Sequence, residues 1–308
     1  MRILHIDTGP YLRGGQRQLL MLLQGLEARG HEQTLLARGE TLQAWPGAPV
    51  MKGSLWRLSR TVDVVHAHDG RGHALAAQFC WSKPLVVSRR VAFPIKKDIF
   101  SKIKYLRAQK YLAVSRHVLE MLLQSGISER KISVVYDSVE RRELVSDKAS
   151  AASRSAGEPL RVLTPQIDDP LKRSDIVQQA CKKLGAEVIL SADLKRDMDQ
   201  ADLFAYLSES EGLGSAVLLA MAHRKPVIAS RVGGLPEIVI DERTGLLVDN
   251  DVESVTAAIR RISLDAELAA GCVDRAFQQI LDRFTDDIMV RRTEEAYQSV
   301  MRRPLPIV

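Results

Sequence analysis

An acidic, glycine-rich loop is the part of this sequence with the clearest chemical meaning. It reads EGLG, and a serine joins it directly to an apolar run, residues 216–222, that predicts a buried helix. Glycines at the start of a helix leave backbone N–H groups open to a ligand, and the helix dipole favours an anion there. The segment therefore predicts a phosphate-binding loop beside an acidic site of sugar size. Its candidate ligand-binding residues are Glu211, Gly212, Leu213, Gly214 and Ser215.

A second glycine-rich turn, residues 233–237, follows a strand predicted over residues 226–230. It ends on Glu237, an acidic candidate for the same site, although a helix dipole alone also favours a carboxylate at a helix start. A third turn, Gly14-Gly15, follows the first predicted strand. Taken alone it is a weak signal, because ordinary strand-to-helix turns have the same composition. It remains a candidate phosphate-binding turn because the other motifs accompany it.

The order of these motifs resembles the donor-binding end of GT-B glycosyltransferases, specifically the retaining enzymes of family 4, also called group 1. Their signature, E-G-F-G-x-x-x-x-E-A-M-A, places a second glutamate after the first. Glu211 fills the first place, whereas Leu219 stands in the second. The resemblance implies that Glu211 approaches the transferred sugar and that residue 219 would hold the ribose. Leucine cannot accept a hydrogen bond from a hydroxyl, so donor binding is expected to be weakened, reorganised or lost.

The stretch that ends in Lys172-Arg173 resembles the family motif G-R-x-x-x-P-x-K-G, whose arginine and lysine neutralise the diphosphate leaving group. Lys172 keeps the lysine place, Gln166 stands in the arginine place and Arg173 in the glycine place. Stabilising the charge on the departing phosphate is the main electrostatic task of such a transfer. Lys172 alone supplies less of this stabilisation unless Arg173 turns inward. The other interpretation of Arg173 is an exposed surface charge.

The acceptor-side candidates are His68 and Arg90. The family often has a histidine near the reacting carbon, in V-x-T-x-H, and Arg90 stands in its place. Arginine cannot act as a base at physiological pH, but it can hold an anionic sugar or a phosphate. His66 and His68 end the third predicted strand, where open α/β sheets place ligands. Their spacing would permit a metal pair, but no third ligand is evident and the related enzymes need no metal, so no metal site is predicted.

The composition of the 308-residue chain, with 45% hydrophobic and 27% charged residues, suits a globular protein. Its net charge of +6 favours an anionic partner. Aromatic residues are few and no RNA-binding motif is present, so no nucleic-acid partner is expected. Three distant cysteines fit neither a disulfide framework nor a metal site. With no signal-peptide or membrane-spanning pattern, the expected location is the cytoplasm.

Short apolar strands alternate with amphipathic helices along the chain, which favours doubly wound parallel sheets. A Ser/Ala/Gly-rich segment between two such runs predicts a linker. Together with the resemblance, this predicts an α/β protein of GT-B architecture, with two Rossmann-like doubly wound domains that face each other across a cleft. The predicted parts are an acceptor-side domain at 1–145, a linker at 146–158, a nucleotide-sugar domain at 159–285 and a C-terminal helix at 286–308 that crosses back to the first domain.

Residues 93–110 form a basic amphipathic segment, FPIKKDIFSKIKYLRAQK. Ile99, Ile103 and Leu106 share one helical face, and six lysine and arginine residues supply positive charge. A helix of this kind can lie on an anionic membrane surface, as helices of membrane-associated relatives do. The alternative is a surface helix that packs its apolar face on the sheet.

The leading hypothesis is a cytoplasmic glycosyltransferase at the inner face of the cell membrane. It would transfer a sugar, with retention of configuration, from a UDP- or GDP-type nucleotide sugar to a lipid-linked or cell-surface polysaccharide acceptor. No cofactor is expected, and the expected catalytic residues are Glu211 and Lys172. The alternative is a degenerate, non-catalytic relative that binds a partner or a glycan, which Leu219, Gln166 and Arg90 favour. A third interpretation is a nucleotide-sugar epimerase of the same architecture.

Overall fold

The structure is a computed structural model that describes residues 1–49, 52–96, 98–145, 158–166, 169 and 171–301. Contacts between residues divide the chain into two units. The first joins Met1–Asp137 to Asp286–Val308, and the second is Ser138–Thr285. This division falls before the boundary predicted at residue 145, and the predicted linker lies outside the described residues except for its last residue.

Each unit contains one sheet in which neighbouring strands run parallel. The strands are β1 Arg2–Ile6, β2 Glu32–Ala37, β3 Ala48–Pro49, β4 Val64–Ala67, β5 Leu85–Arg89, β6 Lys110–Ala113, β7 Ile132–Val134, β8 Arg161–Pro165, β9 Glu187–Ser191, β10 Leu203–Tyr206, β11 Val227–Ser230 and β12 Leu246–Val248. In the first unit the strand order is β3-β2-β1-β4-β5-β6-β7, and in the second it is β12-β11-β10-β8-β9. The predicted α/β class, with two doubly wound parallel sheets, is confirmed.

Helices connect the strands, and side-chain caps explain where several of them begin. They are α1 Gly14–Ala28, α2 Gly39–Ala44, α3 Lys52–Ser59, α4 Gly70–Phe79, α5 Ile99–Arg107, α6 Arg116–Gln124, α7 Ser174–Leu184, α8 Leu194–Asp197, α9 Ser215–Ala222, α10 Val252–Leu264, α11 Ala266–Arg283 and α12 Asp286–Met301. The side chains of Asp69, Ser115 and Asp251 each accept a backbone N–H bond from three residues further on. These bonds satisfy N–H groups that have no partner within the helix, and so they fix the starts of α4, α6 and α10.

The first unit includes the C-terminal helix α12 in its hydrophobic core. Val290 and Tyr297 of α12 are buried together with Ile3 of β1 and Leu22 of α1. Gly25 of α1 lies directly against Val290, and a Cβ at position 25 would overlap the valine side chain. The two helices therefore approach this closely because residue 25 is glycine.

The second unit packs α7 and α10 against its sheet, while α9 is buried for a different reason. Val162, Ile228 and Ile259 are fully buried in the core that α7 and α10 share with the sheet. Every residue of α9 after Ser215 is apolar, and a helix that is hydrophobic all round requires burial on most sides. The buried helix predicted over residues 216–222 is present and begins one residue earlier.

Helix α5 is shorter than the basic segment that contains it. It begins after Asp98, whose carboxylate accepts the Ser101 N–H at 2.8 Å, and Lys110 already belongs to β6. Tyr105 is its buried residue, whereas four other apolar side chains are open to solvent: the exposed fractions are 61% for Ile99, 80% for Phe100, 52% for Ile103 and 62% for Leu106. The sheet therefore does not cover the face that carries Ile99, Ile103 and Leu106.

Candidate active site

Four polar side chains meet at the carboxyl ends of β8 and β10, and we call them the lysine cluster: Lys172, Tyr206, Ser208 and Glu211. Tyr206 ends β10, and the backbone of Lys172, after β8, bridges to that of Ser208. The Lys172 ammonium donates hydrogen bonds to Glu211 Oε2 at 2.5 Å, to Tyr206 OH at 2.7 Å and to Ser208 Oγ at 3.3 Å. The Tyr206 hydroxyl donates to the same Glu211 oxygen at 2.5 Å. The two predicted catalytic residues are thus in direct contact.

The lysine cluster holds opposite charges in a largely buried place. The side chains of Lys172 and Glu211 are 16% and 17% exposed. Burial, followed by the negative charge of Glu211, raises the pKa of Tyr206 well above its usual value, so its hydroxyl keeps the proton that it donates. An ammonium has three N–H donors, and here all three have acceptors. The cluster therefore presents a cation and a carboxylate side by side.

The glycine loop after Glu211 turns directly into α9. Gly214 has a φ of 105°, which is in the left-handed region that favours glycine, and it holds the N-cap position without a side-chain cap. The Gly212 N–H donates to Oε1 of Glu211 at 3.1 Å. Leu213 is buried, so only its backbone can face a ligand. Because no side chain caps α9 in the described structure, its first N–H groups are available to an anion.

The second glycine turn packs against this loop. The Gly234 N–H donates to the Glu211 carbonyl at 3.1 Å. A Cβ at Gly233 would overlap the Glu211 carbonyl, and a Cβ at Gly234 would overlap that of Gly212. Glu237 ends a short 3₁₀ turn three residues later and is half-buried. The structure therefore brings the two predicted glycine segments of the second unit together.

Three substitutions relative to the family motifs lie in the second unit. The Arg173 guanidinium bonds Glu209 Oε1 at 2.6 Å and Asp175 Oδ1 at 3.0 Å, so in this arrangement it binds surface carboxylates. Gln166 is exposed and donates its backbone N–H to β9. Leu219 is half-buried on α9. Lys172 is therefore the cation that the lysine cluster contains.

Two members of the lysine cluster were not predicted from the sequence. Neither Tyr206 nor Ser208 is among the candidate residues that the motifs indicated. Tyr206 lies five residues before Glu211, and the end of a parallel strand is where α/β sheets place ligand-binding side chains. That position is the signal from which Tyr206 could have been found.

The first unit contains a buried histidine cluster formed by His5, His66 and His68. His5 of β1 pairs in register with His66 of β4, and one ring nitrogen of each histidine lies within 4.8 Å of the others. Hydrogen bonds join His66 to Tyr297 OH at 2.7 Å and to Ser88 Oγ at 2.9 Å. Burial lowers the pKa of all three imidazoles, that of His5 to about 3, so they are neutral.

Neutral imidazoles at this spacing are ligands that a transition metal can use, and His5 supplies the third histidine that the sequence analysis did not find. Two observations weigh against such a site. Both ring nitrogens of His66 already have hydrogen-bond partners. The positive charge of Arg90 also lies close enough to lower the pKa of His66 and His68 further, and it would repel a cation. That the protein has no metal site therefore stays a prediction.

Arg90 lies beside the glycine turn at the start of α1. A Cβ on Gly15 would be 3.6 Å from Arg90 Cδ. Arg90 Nε donates to Asp137 Oδ1 at 3.0 Å, while its Nη1 is buried without a hydrogen-bond partner in the described part of the chain. The N-cap residue of α1 makes no side-chain cap bond, so the N–H groups around Gly14 are available to an anion. The first unit thus brings Arg90 close to Gly14-Gly15, with His68 nearby.

Two family models match this chain, and together they take in more than half of it. One describes "Glycosyltransferase Family 4" and matches residues 12–142, and the other describes "Glycosyl transferases group 1" and matches residues 163–265. N-acetyl-alpha-D-glucosaminyl L-malate synthase of Bacillus anthracis is 28% identical over 213 residues, or 67% of this chain and 55% of that protein. Alpha-maltose-1-phosphate synthase of Mycolicibacterium smegmatis is 29% identical over 58% of this chain and 51% of that protein. The chain spans about half the length of these curated relatives.

Solved structures share the fold over nearly the whole chain. HepE of Anabaena, crystallised in complex with UDP, matches with a TM-score of 0.83 and 17% identity, covering 97% of this chain and all of that chain (100%). The apo lipopolysaccharide outer core galactosyltransferase WaaB matches with a TM-score of 0.72 and 16% identity, covering 97% of this chain and 99% of the other. The family models and the shared architecture agree with the motifs around Lys172 and Glu211, and the chain therefore belongs to the group 1, family 4 glycosyltransferases of GT-B fold.

Proposed function

We propose that this protein transfers a sugar from a nucleoside diphosphate sugar to an acceptor hydroxyl, with retention of configuration. The observation that carries the proposal is the lysine cluster, in which an ammonium and a carboxylate touch at the carboxyl ends of β8 and β10. Beside it lies the uncapped start of α9, which suits phosphate oxygens. One site thus offers positive charge for a diphosphate and a hydrogen-bond acceptor for a sugar hydroxyl. Membership of the family supports the same reaction.

In the proposed reaction the bond from the anomeric carbon to the diphosphate oxygen breaks while the acceptor oxygen bonds to that carbon from the same face. The acceptor proton passes to the departing phosphate. Lys172 stabilises the negative charge that develops on the diphosphate, which is the largest electrostatic demand of the transfer. Glu211 accepts a hydrogen bond from a sugar hydroxyl and so orients the ring, and backbone N–H groups from Gly212 to Ser215 bind phosphate oxygens. Gly14-Gly15 and Glu237 are proposed as further donor contacts, with no metal or cofactor.

The donor is proposed to carry UDP or GDP. HepE has been crystallised with UDP and with UDP-glucose, which makes UDP the first nucleotide to test. A ligand at one hundred times its dissociation constant should raise the free energy of unfolding by about 2.7 kcal/mol. We expect UDP, GDP or one of their sugar conjugates to raise the thermal midpoint in calorimetry, because Lys172 and the start of α9 bind its phosphates.

The same calorimetric series discriminates between nucleotides and between functions. ADP and its sugar conjugates serve as the comparison, and Lys183→Ala serves as a control that removes a lysine from an exposed pair with Glu253 in the same unit. A rise with one nucleotide identifies the base of the donor. No rise with any nucleotide at millimolar concentration contradicts the proposed transfer.

The non-catalytic alternative is favoured by two specific positions. Leu219 offers no hydrogen-bond acceptor where the family motif has the ribose-binding glutamate. Gln166, in the arginine place, is exposed and adds no positive charge to the lysine cluster. In this alternative the protein binds a glycan or a partner enzyme, and the calorimetric series shows no nucleotide effect.

We also propose that the acceptor is lipid-linked or part of a cell-surface polysaccharide, and that α5 lies on the anionic inner face of the cell membrane. Four large apolar side chains of α5 are exposed, and Lys102, Lys104 and Arg107 lie on the same short helix. Exposed apolar residues flanked by positive charge bind anionic lipid surfaces. Among the described residues, no helix combines the length and apolar character that crossing a bilayer requires.

The membrane proposal predicts a specific loss of vesicle binding. Replacing Phe100 with serine and Lys102 with glutamate should weaken binding to phosphatidylglycerol vesicles at least about tenfold, since each cation near such a surface contributes about 1 kcal/mol. Co-sedimentation at low and high salt measures the effect. Leu264→Ser, which removes an equally exposed apolar side chain from the second unit, is the matched control. Equal binding to neutral phosphatidylcholine vesicles, or no binding to either, would contradict the proposal.

A further inference from the structure

Tyr206 stands at the centre of the lysine cluster, yet the roles proposed for Lys172 and Glu211 leave it without a function. Its ring is held firmly: it is 5% exposed, it ends β10 and it stacks with Phe204 at a centroid distance of 6.2 Å. Its oxygen bonds both charged residues, accepting from Lys172 and donating to Glu211. A hydroxyl on a strand is fixed more rigidly than a side chain on a loop, so the position of this oxygen is set by the sheet.

The contact between Lys172 and Glu211 creates a problem for a diphosphate ligand. All three N–H donors of Lys172 are occupied by members of the cluster, and the shortest bond, 2.5 Å, goes to Glu211. For Lys172 to bind a phosphate oxygen, at least one of these bonds must be exchanged. The exchange of the bond to Glu211 separates the two charges and leaves a largely buried carboxylate without its cation.

A carboxylate with little exposure needs other donors when its cation leaves, because an unpaired buried charge is costly. Glu211 Oε1 keeps the N–H of Gly212 at 3.1 Å. Glu211 Oε2 keeps the hydroxyl of Tyr206, which does not depend on Lys172. Phenylalanine at position 206 would fill the same space but would leave Oε2 without a donor once Lys172 turns to a phosphate.

We propose that Tyr206 is a positioning residue that holds the Glu211 carboxylate in place when Lys172 moves from Glu211 to the diphosphate of the donor. The inference rests on the proposed function. It assigns to Tyr206 an exchange of partners: its oxygen loses the Lys172 N–H, and its O–H stays on Glu211. The ligand class that drives the exchange is a nucleoside diphosphate, alone or with its sugar.

The variant Tyr206→Phe tests this exchange in the full-length protein. We expect UDP or GDP, whichever the wild-type protein binds, to bind about tenfold more weakly, as expected for the loss of one hydrogen bond to a charged group. If Tyr206 had only a structural role, a Tyr206→Phe protein with an unchanged thermal midpoint would also keep its affinity for the nucleotide.

A spectroscopic measurement makes the test independent of turnover. The protein contains six tyrosines, so labelling with ¹³C at the ring carbon that bears the hydroxyl gives few signals, and the signal that Tyr206→Phe removes is that of Tyr206. Saturating UDP or GDP should shift this signal because Lys172 leaves the phenolic oxygen. Tyr111→Phe is the matched control, since it removes a buried hydroxyl that donates to a carbonyl in the first unit.

The outcomes separate this inference from the proposed function. If nucleotide binds and shifts the Tyr206 signal but no sugar is transferred, the exchange is supported and the proposed reaction is contradicted. If transfer occurs, Tyr206→Phe keeps the affinity for the nucleotide, and the nucleotide leaves the Tyr206 signal of the parent protein unshifted, then the inference is overturned while the reaction stands. A Tyr111→Phe variant with the same losses also overturns it, because the effect would then be general.

Discussion

Replacing Lys172 with alanine should reduce the rate of sugar transfer by about 100- to 1,000-fold, the usual effect of removing one preorganised charge-stabilising donor. Lys172 is the cation of the lysine cluster, and Gln166 adds no second charge beside it. Glu211→Ala should cause a loss of similar size, because the sugar loses the carboxylate that orients it. Steady-state kinetics with the donor identified by calorimetry measure both effects.

The chain offers a matched control for these two changes. Lys183 and Glu253 also form a lysine–glutamate pair in the second unit, with an N–O distance of 2.6 Å, but their side chains are 53% and 77% exposed. Alanine at either position changes the net charge by the same amount and should leave the transfer rate within about twofold, because exposed ion pairs contribute little. If Lys172→Ala and Glu211→Ala behave like these controls, the roles assigned to the lysine cluster are wrong.

Acid is expected to unfold the first unit before the second. Four histidines of the first unit are buried in neutral form: His5, His66, His68 and His73. Burial lowers the pKa of His73, like that of His5, to about 3. In the unfolded chain each imidazole regains a pKa near 6.5 and binds a proton below that pH, whereas the folded form does not. Falling pH therefore favours unfolding, and the effect lies between about pH 6.5 and 3.

The expected size is large for a single unit. Below pH 6.5 each histidine lowers the free energy of unfolding by about 1.4 kcal/mol per pH unit, so four lower it by about 8 kcal/mol between pH 6.5 and pH 5. The total stability of a domain is about 5–15 kcal/mol. Trp45 packs against the core of the first unit, and its fluorescence in a Trp56→Phe, Trp81→Phe background reports unfolding of this unit alone.

Single substitutions check the cause of this acid sensitivity. His73→Gln can still donate to the Lys104 carbonyl, which His73 contacts at 3.1 Å, but it cannot bind a proton. This variant should unfold at a lower pH than the parent. The half-buried His117 of α6 serves as the control, and His117→Gln should leave the midpoint unchanged. An acid midpoint that does not respond to His73→Gln would show that carboxylates, not buried imidazoles, control the transition.

The fold was predicted well from the sequence because hydrophobic periodicity, and the glycine and proline residues that end helices and strands, are local signals. Alternating apolar strands and amphipathic helices predicted two parallel sheets, and the apolar run after the EGLG loop predicted α9 to within one residue. Strand β12 was not predicted, since three residues, Leu246–Val248, are too few to show a period. The family models and solved structures confirmed the membership that the motifs around Glu211 and Lys172 had indicated.

Only those residues of the candidate site that belong to a sequence motif could be predicted. Glu211 and Lys172 follow a known spacing, but Tyr206 joins them through the sheet, and its sequence neighbours are apolar. The contact of His5 with His66 was not predicted either. The two residues are 61 positions apart in the sequence, and the register of β1 and β4 places them side by side. Long-range pairing of strands decides such contacts, and a local pattern does not contain it.

The packing of the two glycine turns has a consequence for how this protein can evolve. Any side chain at Gly233 or Gly234 would collide with a carbonyl of the loop that carries Glu211, so no single substitution there leaves that loop undisturbed. Leu219 is half-buried on α9, outside these two turns. Mutational drift is therefore restricted unevenly: a lineage can change residue 219 in a single step while the two glycine turns keep the placement of Glu211 unchanged. Reversal by Leu219→Glu would begin from an intact scaffold.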